Sequence, residues 1–353
     1  MALVPAAALE RFIHQVLTAW GMPEAAARDS TAVMMAADLR GIDSHGISML
    51  DIYERWKQVG KFRVGALPRV VLDRPVLAVI DGGGGLGHHP SRLATDLAIA
   101  KARAMGLAAV SVRNSHHYGA AGVYAWQMAE AGLIGISCSG VHNAATVPTF
   151  ARVPMFGTNP WAFAAPAGRN PPFVLDMATS TVAIGKLKIA SFAGKPVPEG
   201  WALDAEGRPV TDSAAAYAQP RVTPLGGSRE QGSHKGYGLA AMVEILSTQL
   251  SGATYTPLRP KEQAPDDVGH FFLAIDPAAF RPEGGFEADM DALIDALHGC
   301  PPADPARPVL VHGDPERAAE AERRRDGIPV PAALRASLTE VARRAGVPVP
   351  WSA

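Results

Sequence analysis

Asp81-Gly82-Gly83-Gly84-Gly85-Leu86-Gly87 is the stretch on which the fold turns. It matches G-x-G-x-x-G, with β-branched residues before it and a helix-like run after it. That is the context in which a dinucleotide-binding turn cradles a pyrophosphate. Two features oppose that reading. A run of four glycines satisfies almost any glycine pattern by accident. The fingerprint also requires an acid about 20 residues on, at the end of the next strand. Here that strand ends at Val112-Arg113, and no acid lies between Lys101 and Arg113. The alternative is a flexible strand-to-helix turn.

Residues 69–80 carry Val70, Val71, Val76, Val79 and Ile80 and are expected to form strands. Residues 91–105 predict a helix capped by Ser91, and residues 108–112 a short buried strand. A helix after Gly119 and a strand over 133–139 follow. On the N-terminal side, residues 6–40 predict two helices divided at Gly21-Met22-Pro23. On the C-terminal side, 148–177 predict short strands with tight turns and 195–233 ordered loops. Residues 234–250 predict a helix packed through Leu239, Met242, Val243, Leu246 and Leu250. A strand over 271–275 and helices over 316–326 and 332–345 complete the pattern.

Composition limits the function classes. The 353 residues are 48% hydrophobic with mean hydropathy +0.05, so a substantial core is available. A net charge of -1 argues against a nucleic-acid groove or an anionic membrane surface, both of which want a basic excess. The one tight basic run, Arg323 to Arg325, reads as a solvated helix face. Cys138 and Cys300 have neither metal-ligand nor disulfide spacing. The N-terminus lacks the charged-then-apolar order of a signal peptide, and no run reaches the length of a membrane span. A cytoplasmic protein with no membrane or nucleic-acid partner is expected.

Several polar clusters can carry chemistry. Gly41-Ile42-Asp43-Ser44-His45-Gly46 sets a histidine between a hydroxyl residue and a glycine. Histidine takes and gives protons near neutral pH, and a glycine allows close approach. Asn114-Ser115-His116-His117-Tyr118-Gly119 follows a buried strand, where α/β proteins gather ligands. At most one of its two adjacent histidines is expected to face a site. Gly157-Thr158-Asn159-Pro160 and Asp176-Met177-Ala178-Thr179-Ser180 end strand-like runs with small polar groups. Leu225-Gly226-Gly227 precedes Ser233-His234-Lys235-Gly236, where Lys235 in the first helical turn opposes the helix dipole and so points to an anionic partner. Signatures of zincins, α/β-hydrolases and P-loop proteins are missing, although 11 histidines leave room for a metal site.

Read together, DLRGIDSHGI, NSHHYGAAG, GTNPWAFAAP, LDMATS, PEGWALDAEG, PLGG, HKGYGLA and GHFFLAIDP resemble the malate/L-lactate dehydrogenase family that is unrelated to the Rossmann-type enzymes. Its relatives include ureidoglycolate dehydrogenase, sulfolactate dehydrogenase, diketogulonate reductase and piperideine-2-carboxylate reductase. The eight segments run in the family's order from about residue 38 to residue 277.

The resemblance implies an α/β, non-Rossmann nicotinamide-binding fold with a mixed, largely antiparallel sheet and a helical domain from both chain ends. It implies a helical domain over 1–62 completed by about 315–353, a small α/β segment over 63–118 and a cofactor-binding core over 119–314. It implies a homodimer using NAD or NADP, with NAD placed first and no metal. It assigns His45 as the acid/base, with Asp176 and Ser44 beside it. His117, Met49 and Arg40 fall at substrate positions. His117, Tyr118, Gly119, Thr158, Asn159, Pro160, Met177, Ala178, Thr179, Ser180, Leu225, Gly226, Gly227 and Lys235 fall at cofactor positions.

Two departures bear on the substrate. Many relatives have arginine where this chain has Met49, and a thioether cannot hold a carboxylate. Either another arginine takes its place, with Arg40, Arg55, Arg113 and Arg152 as candidates, or the substrate is not the usual malate or lactate. Relatives also often carry arginine at Ile184. The expected activity is hydride transfer between a nicotinamide and a small 2-hydroxy/2-oxo acid pair. The alternatives are reduction of a cyclic imine carboxylate, a metal-dependent hydrolase, and a non-catalytic nucleotide-binding relative.

Overall fold

Pro23 closes a short turn after the first amphipathic helix, and the chain re-enters helix at once. The computed structural model describes residues 2–260 and 264–351. Strand β1 (Ala2–Val4) leads into α1 (Ala6–Ala19), α2 (Glu24–Leu39) and α3 (Met49–Gln58). Next come β2 (Arg69–Arg74), β3 (Leu77–Gly85), α4 (His88–Met105), β4 (Leu107–Ser115), α5 (Gly122–Glu130) and β5 (Ile134–Ser139). Strands β6 (Trp161–Ala165) and β7 (Phe173–Met177) precede α6 (Ile184–Phe192), the small pair β8 (Ala202–Leu203) and β9 (Pro209–Val210), and α7 (Ser213–Ala218). The last third holds α8 (Ser233–Glu244), β10 (Val268–Ile275), α9 (Pro277–Phe280), α10 (Phe286–His298), α11 (Asp314–Asp326), β11 (Ile328–Val330) and α12 (Ala332–Ala345).

The main sheet has seven strands in the order β2-β3-β4-β10-β5-β6-β7. Only β3 and β4 run parallel, and every other neighbouring pair is antiparallel. A doubly wound nucleotide fold needs a run of parallel strands, so this sheet is of another kind, mixed and largely antiparallel as expected.

The glycine run is not the turn it was read as. It continues β3 through Gly85, with a register shift against β4 between Asp81 and Gly85. Its bare backbone is used for protein contacts. A Cβ on Gly82 would fall 2.9 Å from the Asn114 carbonyl oxygen, and one on Gly85 would fall 2.8 Å from Ala66 Cβ. The Arg63 amide donates to the Gly84 carbonyl at 2.7 Å. The glycines let the connection from α3 lie directly on the strand.

Apolar burial gathers in separate places. One core joins Leu9, Phe12 and Ile13 of α1, Met34 of α2 and Leu50 of α3 to Ile328, Val330 and Leu338 from the far end of the chain. There β1 pairs antiparallel with β11. A second lies between the sheet and α4 and α5, where Ala94, Ala98 and Ala102 bring helix close to Val110, Val112 and Phe272. A smaller one, with Leu187, Val197 and Val222, sits under α6 and α7.

The sequence missed α3, α6, α7, α9 and α10, read 195–233 as loops although β8, β9 and α7 lie there, and started α4 three residues late, at Ser91 instead of His88. It also overstated the packed face of α8. That helix runs into a π-helical turn, Ile245–Gln249, which rotates later residues off the first face. Val243, Ser247 and Thr248 are buried, while Leu250 is exposed. The turn is held by Gly269, where a Cβ would fall 1.8 Å from the Ser247 carbonyl oxygen. Among the described residues no helix is long and apolar enough to cross a membrane.

Candidate active site

The loop between α2 and α3 carries His45, and it is pinned from below. Asp38, near the end of α2, is buried, and its Oδ2 accepts the Ile47 amide at 2.7 Å. A Cβ on Gly46 would fall 1.8 Å from Asp38 Oδ1, so this approach requires glycine. Desolvation pushes the Asp38 carboxyl up to about 7, the Ile47 bond notwithstanding. From α11, Arg323 donates to the Asp38 carbonyl at 2.5 Å and to the Asp43 carboxylate. The basic run is therefore not a uniformly solvated face. Arg324 and Arg325 are exposed, whereas Arg323 clamps this loop.

Ser44 Oγ lies 2.8 Å from His45 Nδ1. The His45 ring stacks on His117 with centroids 5.4 Å apart and planes inclined by 17°. Desolvation holds His45 down at about 4. The ring is then neutral at pH 7, the form that accepts a proton from a hydroxyl.

The opposite wall comes from the sheet. His117 lies just past β4, and its Nδ1 is 2.8 Å from the Tyr53 hydroxyl, which also reaches His88 Nε2 at 3.3 Å. His116 turns away and is fully buried, its Nε2 3.2 Å from Asp266. His142, on the loop after β5, stacks on His116 at 5.1 Å and meets the edge of Trp56 at 4.5 Å. Beneath them His270 of β10 spans its neighbour strands, with Nε2 3.0 Å from Ser115 and Nδ1 2.8 Å from Ser139. The Tyr118 ring stacks on His270 at 4.6 Å. Desolvation draws His88, His142 and His270 down to about 3 and lowers His116 and His117 as well.

Between these walls lies a cavity of about 250 Å³. Of the expected residues it is lined by Ser44, His45, His117, Tyr118, Gly119, Thr158, Pro160, Asp176, Met177 and Ala178. Asp176 is the next-to-last residue of β7 on the far side, its Oδ2 accepting the Gly122 amide at 2.8 Å. Loss of hydration, with the Glu316 charge adding to it, pushes Asp176 up to about 6.

Other expected residues lie elsewhere. Met49 packs into the helical core and does not line the cavity, because α3 turns that face inward. Arg40 lines a neighbouring cavity of about 220 Å³, bonded to Glu320 at 3.1 Å with its guanidinium 3.4 Å above Trp126. Arg55 pairs with Asp51, and Arg152 lines a third cavity. Asn159 is buried at a positive φ of 35°, its Nδ2 donating to Glu244 at 2.9 Å. Thr179 and Ser180 are buried and bond to nearby carbonyls.

Leu225, Gly226, Gly227 and Lys235 form a second group. The Leu225 amide donates to the Thr179 carbonyl at 2.9 Å. A Cβ on Gly236 would fall 2.3 Å from the Leu225 carbonyl oxygen, so the start of α8 seats directly on this loop. Lys235 is exposed there.

Tyr53, His88, Trp56 and His142 escaped the sequence reading. The available signal for Tyr53 was its place one helical turn beyond Met49. For His142 there was none beyond its following a buried strand.

The residues fit a nicotinamide. Pro160, Met177, Ala178 and Ala120 give an apolar wall facing His45 and His117. Beside that wall the buried Asn159 Oδ1 has no hydrogen-bond partner in the protein. A ring with an amide substituent needs both an apolar face and polar ends. Among the described residues no three His, Cys, Asp or Glu side chains converge as a metal site.

Comparison with known proteins agrees. A family profile described as malate/L-lactate dehydrogenase matches residues 4–339. The malate dehydrogenase of Pyrococcus horikoshii is 38% identical over 98% of this chain and 96% of its own length. Its structure superposes with a TM-score of 0.88, at 36% identity over 99% of this chain and 97% of that one. The (2R)-3-sulfolactate dehydrogenase (NADP(+)) of Chromohalobacter salexigens is 38% identical over 80% of this chain and 82% of its own. The delta1-piperideine-2-carboxylate reductase structure from Pseudomonas syringae pvar. tomato aligns with a TM-score of 0.83, at 29% identity over 97% of this chain and 100% of that one.

Proposed function

The chain belongs to the malate/L-lactate dehydrogenase family, and on that footing we propose that it is an NAD(P)-dependent oxidoreductase of a small 2-hydroxy/2-oxo acid pair with His45 as the acid/base. The observation that carries the proposal is His45 on the cavity wall, stacked on His117 and bonded to Ser44. Thr158, Pro160, Met177 and Ala178 would hold the nicotinamide, with Leu225, Gly226, Gly227 and Lys235 toward its phosphates. The nicotinamide, when bound, supplies or takes the hydride at the substrate carbon. His45 takes the hydroxyl proton in oxidation and returns it in reduction. Ser44, at Nδ1, fixes the ring's tautomer and orientation. Tyr53 does the same for His117. Asp176 closes the cavity opposite and contributes a carboxyl whose raised pKa lets it share protons near neutral pH.

We also infer a homodimer, supported by apolar side chains left at the surface, among them Phe150, Phe192 and Leu250. The test uses the full-length protein with NADH or NADPH and a panel of 2-oxo acids and cyclic imine acids. Oxidation of one cofactor with at least one substrate is expected, from a species of two-chain mass in light scattering. The absence of both turnover across the panel and cofactor binding by calorimetry would overturn the reading. A one-chain mass would remove the dimer.

A further inference from the structure

The cavity's two ends carry different charge, and the positive end has no side-chain cation of its own. Among the described residues no lysine or arginine lines it. The charged groups that do are carboxylates, Asp176 of β7 and Glu316 of α11. His142 stands away from them, on the loop after β5, two strands across the sheet from β7, and takes no part in the Arg40 cavity that Asp176 and Glu316 also line. Asn143 Nδ2 lies 3.0 Å from its Nε2, and with the amide donating, the ring proton sits on Nδ1. Behind His142 are Arg259, whose guanidinium donates to the His142 carbonyl at 3.2 Å, and Lys61. Both face Asp266, at 2.9 and 3.8 Å. One carboxylate against two cations leaves a net positive charge behind the His116–His142 stack.

Resting on the dehydrogenase reading of this cavity, we propose that it selects 2-oxo or 2-imino acids with a single carboxylate, held at the His142 end, and disfavours dianionic substrates. A first carboxylate meets a neutral donor backed by Arg259 and Lys61. A second carboxylate would have to lie toward Asp176 and Glu316, where like charges repel in a water-poor site. A neutral or cationic tail, such as the ring nitrogen of a cyclic imine acid, suits that end. This separates the chain from relatives named for malate and sulfolactate, whose substrates carry two acidic groups. It also leaves Met49 to pack in the helical core, since the carboxylate is held from the loop after β5.

The experiment compares kcat/KM for pyruvate and a cyclic imine acid with that for oxaloacetate, each with NADH and NADPH. The better monocarboxylate should exceed oxaloacetate roughly tenfold or more. Equal or better use of oxaloacetate overturns the proposal. Glu316→Gln should shift the ratio toward oxaloacetate by about threefold or more, and an unmoved ratio overturns the assignment of that end. His142→Ala should raise KM for the monocarboxylate about tenfold with kcat changed far less, and His142→Gln should restore part of it. An unchanged KM in a folded His142→Ala protein overturns the anchor. Calorimetry with oxamate, which has one carboxylate, and tartronate, which has two, needs no turnover. Tighter oxamate supports the proposal and tighter tartronate overturns it, even in a preparation inactive on every substrate, an outcome that would count against the dehydrogenase reading alone.

Discussion

His45 and His117 face each other with ring centroids 5.4 Å apart, yet the chain holds them by different means. The sheet wall is set by burial. His117, His88 and His270 are fixed by uncharged hydroxyls, namely Tyr53, Ser115 and Ser139, inside packed strands and helices. The loop wall is set by charge and by bare backbone. His45 sits where Asp38, Asp43 and Arg323 tie a glycine-containing loop to α2 and to the distant α11. Buried neutral contacts give a wall of fixed geometry. Ionic tethers give a wall that responds to pH and salt. His45, the proposed acid/base, stands on the responsive side.

The largest effect should come from removing that histidine. His45→Ala is expected to lower kcat about a hundred- to ten-thousand-fold, while nicotinamide binding by calorimetry changes little. Turnover near the wild-type level would mean that the proton moves through the sheet wall instead, and the division would fail. Gly46→Ala tests the loop's seat without touching a reacting group. Its methyl would displace the Asp38 carboxylate, so turnover should fall about tenfold or more, with a loss on the order of 2–3 kcal/mol in denaturant unfolding. A neutral result would show the loop to be slack.

The smallest expected effect separates the walls by the sign of their pH dependence. His88, His142 and His270 are bases held near 3 in the folded chain and near 6.5 when unfolded. The stability tied to their neutral forms is whole above about 6.5 and lost as pH falls, about 2 kcal/mol each by pH 5. Asp38 is an acid raised to about 7, so its contribution is whole at low pH and lost as pH rises through that value. The bases win, and stability should fall from pH 7 to pH 5. Asp38→Asn should steepen that fall by about 2 kcal/mol. Urea titrations at both pH values measure it, and a shallower fall in the variant would assign the wrong sign to the loop wall.

Much of this was legible in one dimension. The missing acid after Gly87 ruled against a nucleotide fingerprint, and the sheet, with its single parallel pair, agrees. Residue type placed most strands and the C-terminal helices, including α11, which buries none of its residues. The cluster around His45 stood out by residue type. Tyr53 and His142 did not, since their place on the cavity depends on how α3 docks against the ends of β4 and β5. Nor did the clamp, because Arg323 and Asp43 are 280 residues apart. Arg40 misled for the converse reason. It is the right kind of residue in the right segment, but Glu320 and Trp126 already occupy its guanidinium.

The pairing of β1 with β11 has a consequence in time. A ribosome delivers the His45 loop early and its clamp very late. Until α11 and β11 emerge, the helices around His45 lack Ile328, Val330 and Leu338 from their core, and the loop lacks Arg323. The sheet wall waits for β10, which fills the place between β4 and β5, and the seat of His45, the proposed acid/base, waits for α11 after it. The seat of His45 thus depends on a residue 280 positions downstream of Asp43, and a chain cut short before α11 would lack that clamp.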